Sequence, residues 1–268
     1  MCRLLGYLGS PLQLNHLLYK PEHSLIVQSY QPREMESAIL NADGFGMGWY
    51  HPQKEVDPYI YKNTMPIWND LNLPEISRYV ESDCVVGYIR SATPGLAVDL
   101  SNCQPFKDER ILFTHNGYIE NFRTTLYRTI RKDLNNYSYE LIKGTTDSEH
   151  LFALMINELQ TSSDLTLKEA VTQTISKLHQ LANHYSVYCS ANLLVSDGEQ
   201  LIATRYSTRS PAPSLYWLRD DPNYPDSVII ASEPLFQGNW NAVSEQTIIS
   251  VGKDLEVYSH SLDKSGDL

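Results

Sequence analysis

No run of apolar residues in this 268-residue chain approaches the roughly 20 that a membrane-spanning helix needs. The opening Met-Cys-Arg-Leu-Leu-Gly-Tyr-Leu-Gly carries one positive charge and too short an apolar stretch for a secretory signal, which predicts a cytoplasmic protein with no membrane partner. Positive charge is scarce throughout: 21 Lys and Arg stand against 32 Asp and Glu, a formal net charge of −11. Such a chain repels phosphate backbones, so no nucleic-acid partner is expected. Only four cysteines occur, Cys2, Cys84, Cys103 and Cys189, and none lies in a C-x-x-C pair. A zinc ribbon and a dithiol redox motif are thereby excluded. No Pro/Gly/Ser-rich linker, low-complexity tract or solenoid repeat divides the chain, which predicts one domain over residues 1–268. The glycines of Asp43-Gly44-Phe45-Gly46-Met47-Gly48 have the wrong spacing for a dinucleotide loop, and strand-like Trp49-Tyr50-His51 follows them. Neither a cofactor nor a metal is called for.

What the chain does have is many short segments that read as strands. Cys2–Leu8, Cys84–Arg90 and Arg110–Thr114 come early. Ala191–Val195 and Gln200–Arg205 flank a Ser196-Asp197-Gly198 turn, and Leu215–Leu218, Val228–Ala231 and Thr247–Val251 follow. Helices are fewer. Thr146-x-x-Glu149 reads as a capping box before Leu151, Leu154, Met155 and Leu159 at helical spacing. Thr166-x-x-Glu169 opens a second helix with Leu167, Ala170, Val171, Ile175, Leu178 and Leu181 on one face, and Ile119–Ile130 reads as a weaker third. Strands grouped early and late around central helices predict an α+β fold with mostly antiparallel sheets.

Four places could carry chemistry, and each also has an ordinary explanation. Cys2 is either an unremarked second residue or, once Met1 is trimmed, a terminal residue whose free α-amine takes its own thiol's proton. Phe113-Thr114-His115-Asn116-Gly117-Tyr118 is either a strand ending in an Asn-Gly turn or an oxyanion hole built from an Asn amide and a glycine N–H. Arg90, closing an apolar strand, is either a surface salt bridge or a bidentate grip on a carboxylate. Asp147 is either a helix-start acid favoured by the helix dipole or a partner for a substrate ammonium. Cys84 and Cys189, in apolar segments, read as packing residues.

Taken in order, these motifs resemble one family. Met-Cys-Arg at the start, Arg90-x-x-Thr93-x-Gly95, His115-Asn116-Gly117-x-Ile119-Glu120-Asn121 and Thr146-Asp147-Ser148-Glu149 look like the class II glutamine amidotransferase domain, an N-terminal-nucleophile hydrolase. Asn41-Ala42-Asp43-Gly44-Phe45-Gly46, Ser91-Ala92-Thr93-Pro94-Gly95 and Ser232-Glu233-Pro234 resemble a subgroup that contains the γ-glutamyl hydrolases of ergothioneine biosynthesis and glutathione-degrading amidases. The resemblance implies a four-layer αββα sandwich of two antiparallel sheets. It implies that Cys2 attacks a γ-glutamyl amide and that Asn116 and the Gly117 N–H hold the oxyanion. Arg90, helped by Thr93, would bind the α-carboxylate, and Asp147 the α-amine. A γ-glutamyl thioester would form on Cys2 and then be hydrolysed. The sequence departs from familiar amidotransferases at Tyr88, where His is frequent, at Ser91, where Trp is frequent, and at Pro94, where His is frequent. Those departures put coupling to an ammonia channel in doubt.

The expected function is therefore hydrolysis of a small γ-glutamyl substrate. The leaving group favoured by the subgroup resemblance is a cysteinyl histidine betaine, since aromatic faces attract a trimethylammonium and the chain carries 18 Tyr and 4 Trp. A glutathione-type amidase, a glutaminase subunit with a separate synthase partner, a general acylase and an inactive scaffold of the same fold stay open.

Overall fold

The computed structural model describes residues 2–34, 40–51, 55–92, 97–162 and 164–262. Thr93, Pro94 and Gly95, singled out above, lie outside them. In chain order the strands are β1 (Arg3–Gln13), β2 (Phe45–His51), β3 (Glu55–Asn63), β4 (Glu81–Ile89), β5 (Phe106–Asp108), β6 (Ile111–Ile119), β7 (Cys189–Ser196), β8 (Leu201–Arg205), β9 (Tyr216–Asp221), β10 (Tyr224–Ala231), β11 (Asn241–Ala242), β12 (Thr247–Val251) and β13 (Val257–Ser261). The helices are α1 (Asn15–Leu18), α2 (Leu25–Tyr30), α3 (Leu73–Tyr79), α4 (Leu126–Asp133), α5 (Asn136–Leu141), α6 (Asp147–Leu159) and α7 (Leu167–Tyr185). None of these described helices is long and apolar enough to cross a membrane.

Two antiparallel sheets result. The first runs β11-β9-β10-β1-β4-β2-β3 and the second β13-β12-β8-β7-β6-β5. Side chains alternate across each strand, so every strand feeds two layers. In β1, Leu4 and Leu8 face the second sheet and meet Leu112, Leu194 and Leu201, while Leu5 and Tyr7 face outward against Leu14, Leu17, Leu18 and Leu25 of the α1–α2 region. In the second sheet, Phe113, Leu193 and Val195 face outward onto α4, α6 and α7 through Ile130, Leu151, Met155, Val171 and Leu178. Helices thus cover both outer faces, giving the αββα order, with an apolar interior between the sheets.

The Ile119–Ile130 helix is corrected. Residue 119 ends β6, turns follow, and α4 begins only at Leu126. Asn121 has a positive φ of 52°, and its carbonyl accepts bonds from the Thr124 and Thr125 hydroxyls, which holds the chain in a turn. β6 in turn runs on through His115, Asn116 and Gly117, with Asn116 opposite Asn192 and Gly117 opposite Ala191. The Asn-Gly pair therefore lies inside a strand and makes no turn.

Candidate active site

The site lies between the sheets, where β1 begins, β4 ends and β6 approaches its end. β4 pairs with β1 in the register Arg3↔Ile89 and Leu4↔Tyr88. Alternation then sends Cys2, Leu4, Tyr88 and Arg90 toward the space between the sheets. Cys2 is buried, 9% exposed, and its sulfur accepts the Ser91 N–H at 3.3 Å. The Cys2 thiol also lies 3.5 Å from the Ser91 carbonyl, to which it donates. The loop after β4 is pinned by Asp43, whose Oδ2 accepts the Ala92 N–H at 2.8 Å.

Tyr88 lies against the thiol. Burial, followed by the charge of the Cys2 sulfur and a hydrogen bond to it, holds the Tyr88 hydroxyl well above its ordinary pKa and so protonated. The charges of Arg90 and Asp147 also bear on that hydroxyl, so the Cys2 thiol, a cation and an anion surround one buried point. Sequence reasoning missed Tyr88 as a site residue. Its only signal was that an ionisable residue replaced the more frequent His.

Arg90 is 3% exposed. Its Nη1 and Nη2 donate to the Ala97 carbonyl at 3.2 Å, and Nη1 reaches the Asp43 carbonyl at 3.5 Å. Among the described residues these partners are neutral carbonyls, and no carboxylate forms an ion pair with the guanidinium. The surface-salt-bridge reading of Arg90 is thus excluded. A buried guanidinium whose direct partners among the described residues are carbonyl dipoles keeps its charge available to an incoming anion.

Asp147 is half-buried at the first turn of α6. Its Oδ1 accepts the Ser148 N–H at 2.8 Å and its Oδ2 accepts the Ile119 N–H at 2.9 Å. The helix start and the strand end therefore fix one carboxylate that still has lone pairs free for an ammonium.

Along β6 the odd-numbered N–H groups point away from β7. The His115 N–H goes to Gln104 Oε1 at 2.5 Å, and the Ile119 N–H goes to Asp147. By the same alternation the Gly117 N–H points away from β7, on the same edge of β6 as the His115 and Ile119 N–H groups. A Cβ at residue 117 would overlap the Ser190 carbonyl and the His115 Nε2, so only glycine fits. His115 is buried, and burial lowers its pKa against the opposing pull of Asp147, which keeps it neutral. Its Nε2–H donates to the Ser190 carbonyl at 3.1 Å, and its Nδ1 accepts from the Ser148 hydroxyl at 2.9 Å. Asn116 faces inward, with Nδ2 3.5 Å from the Ser232 hydroxyl and a buried Oδ1 that no described residue engages. The structure thus brings Cys2, Arg90, Asn116, Gly117 and Asp147 to one place. Thr93 lies outside the described residues.

A class II glutamine amidotransferase family model matches residues 1–235. The chain belongs to that family. As a member it is an enzyme, an amidohydrolase. Curated relatives match over nearly all of it. A yeast protein named as a probable glutamine amidotransferase, DUG3 of Saccharomyces cerevisiae, is 30% identical over 94% of this chain and 82% of its own length. The γ-glutamyl-hercynylcysteine sulfoxide hydrolase of Mycolicibacterium smegmatis is 29% identical over 94% of this chain and 96% of its own. A class II domain protein from Silicibacter pomeroyi superposes with a TM-score of 0.70 at 23% identity, covering 97% of this chain and 98% of that one. The glutamine phosphoribosylpyrophosphate amidotransferase of Bacillus subtilis superposes with a TM-score of 0.66 at 16% identity, but this chain spans only 50% of it. These likenesses bear out the αββα fold expected for the family.

Proposed function

We propose that the chain, acting as one class II domain, is a γ-glutamyl amidohydrolase with Cys2 as its nucleophile. The observation that carries this reading is the buried Arg90 guanidinium without a carboxylate partner among the described residues, set around Tyr88 with the Cys2 thiol and Asp147. A γ-glutamyl head group supplies what that arrangement lacks: an α-carboxylate for Arg90 and an α-ammonium for Asp147. Bound so, its γ-carbonyl lies at the thiol. Removal of Met1 frees the Cys2 amine, which takes the thiol proton. The thiolate sulfur bonds to the γ-carbon, and the carbonyl oxygen becomes an oxyanion facing Asn116 Nδ2 and the Gly117 N–H. Collapse expels the amine, which leaves with the proton held by the α-amine. Water then adds to the thioester with the α-amine as base, releasing glutamate and restoring the thiol.

The leaving group we assign is a cysteinyl histidine betaine, on the resemblance to the mycobacterial hydrolases. The test is hydrolysis by the purified chain alone of γ-glutamyl-cysteinyl histidine betaine, glutathione and glutamine. The highest kcat/KM is expected for the betaine conjugate. A higher value for glutathione or glutamine overturns the betaine assignment and keeps the amidohydrolase. Ammonia release only when a synthase is added points to a glutaminase subunit, and no turnover with any substrate overturns the reading.

A further inference from the structure

Ser232 and Glu233 follow β10 directly, and the chemistry proposed above uses neither. Both are fully buried. The alternation of β10 continues through them and sends them to opposite faces. Ser232 turns between the sheets. Its N–H donates to the Leu4 carbonyl at 3.1 Å, and its hydroxyl oxygen accepts the Leu4 N–H at 3.1 Å. The same oxygen accepts from Asn116 Nδ2 at 3.5 Å. One hydroxyl thus ties the backbone two residues beyond the thiol to the amide on the opposite sheet.

Glu233 turns outward, where Arg3 also points. Its Oε1 takes Arg3 Nε at 2.7 Å, Arg3 Nη2 at 2.6 Å and the Glu34 N–H at 3.1 Å. Its Oε2 takes His23 Nε2 at 2.7 Å and the Arg33 N–H at 2.9 Å. The guanidinium held in this way donates Nη1 to the Cys2 carbonyl at 2.9 Å. A buried ion pair is poor value as stabilisation, because well-packed apolar residues do as well or better. What it does supply is a fixed direction. Donors from four residues stop the carboxylate from turning, and the carboxylate stops Arg3 from turning.

We propose that Ser232 and Glu233 are positioning residues, Glu233 acting through Arg3 on the peptide of Cys2 and Ser232 acting on Asn116. The proposal rests on the reading of Cys2 as nucleophile and Asn116 as oxyanion donor. It is tested with Ser232→Ala, Glu233→Gln and Cys2→Ala. The readouts are kcat and KM on a chromogenic γ-glutamyl anilide, the rate of Cys2 alkylation by iodoacetamide followed by peptide mass, and circular dichroism for folding. Ser232→Ala is expected to fold, to lose roughly 10–100-fold in kcat, the scale of a small displacement in a site, and to keep KM. Its alkylation rate stays near the parent's, since alkylation develops no oxyanion. Glu233→Gln is expected to lose both kcat and alkylation rate. If it does not fold, Arg3→Lys keeps the charge opposite Glu233, loses the forked reach to the Cys2 carbonyl, and is expected to show the same two losses. Folded variants with kcat and alkylation within two-fold of the parent overturn the proposal, as does a kcat loss matched by the loss of folded protein. If Cys2→Ala is inactive while those variants are normal, only the positioning proposal falls. Turnover by Cys2→Ala brings down the nucleophile reading and this proposal together.

Discussion

Arg90 illustrates what a single residue discloses before and after folding. Its place at the end of an apolar strand is visible in the sequence, and so is its fitness for a carboxylate. Its burial with no counter-ion among the described residues is not, because that depends on Ala97 and Asp43 arriving from separate loops. Replacing it tests the head-group clamp. Arg90→Ala is expected to reduce kcat/KM for γ-glutamyl substrates by an amount equivalent to roughly 2–5 kcal/mol, the scale for removing one partner of a buried charge pair. Analogues without the α-carboxylate are expected to be indifferent to the change. Steady-state kinetics on both substrate types decide it, and an unchanged kcat/KM for every γ-glutamyl substrate contradicts the assignment. Cys2 and Asp147 were legible for a similar reason, each standing where an element opens, whereas Asn116 and Gly117 were legible only as a dipeptide, since the turn it suggests is the interior of β6. Tyr88, Arg3 and Ser232 stood out in the sequence but without a role, since their contacts lie with partners up to 230 residues away.

At the scale of elements, alternation and capping carried most of the reading. α7 opens where Thr166-x-x-Glu169 placed a helix start, and it carries a full capping box there. α6 has only half of one. The Thr146 hydroxyl accepts the Glu149 N–H at 3.2 Å, but the Glu149 carboxylate turns back to the Lys143 and Gly144 N–H groups instead. Glu149 therefore fixes the loop that leads into Asp147. The cap has a consequence for the site. Thr146→Ala is expected to lower stability by about 1 kcal/mol and, by fraying the first turn that carries Asp147, to raise KM for γ-glutamyl substrates while kcat changes less. Urea unfolding and steady-state kinetics check the two parts, and a KM equal to the parent's contradicts the link. Helices α1, α2, α3 and α5 escaped the sequence reading because four to seven residues hold too few turns for a 3.6-residue period to show.

On each outer side of the sheet pair a buried group makes the fold sensitive to acid. On the second-sheet side, His150 donates Nδ1–H to the Thr146 carbonyl at 2.7 Å and accepts from Arg131 Nε at 2.9 Å. Burial first, opposed by the Thr146 bond and reinforced by Arg131, brings its pKa down to about 4. The folded state thus favours neutral His150, and that contribution is full above the unfolded value of about 6.5. It is lost as the pH falls from there toward 4. On the first-sheet side, burial alone would raise Glu233, but His23, Arg3 and the Arg33 and Glu34 N–H groups together draw it down to about 2. Its contribution is full above an unfolded value of about 4.3 and is lost as the pH falls toward 2. In urea titrations the parent's stability advantage over His150→Gln is expected to shrink, on the order of 3 kcal/mol, between pH 6.5 and 4. The advantage over Glu233→Gln is expected to hold there and shrink only below about pH 4. A parent–His150→Gln gap that is constant from pH 7 to 4 contradicts this account.

The central claim is that Cys2, freed of Met1, is the residue that bonds covalently to the γ-glutamyl group. The most direct measurement is peptide mass mapping of native enzyme after acid quench during turnover of a γ-glutamyl substrate. The account predicts a peptide that begins at Cys2 and carries one γ-glutamyl group on the thiol, with Cys84, Cys103 and Cys189 unmodified. A fully active enzyme that retains Met1, or a γ-glutamyl adduct on any other cysteine, would contradict it.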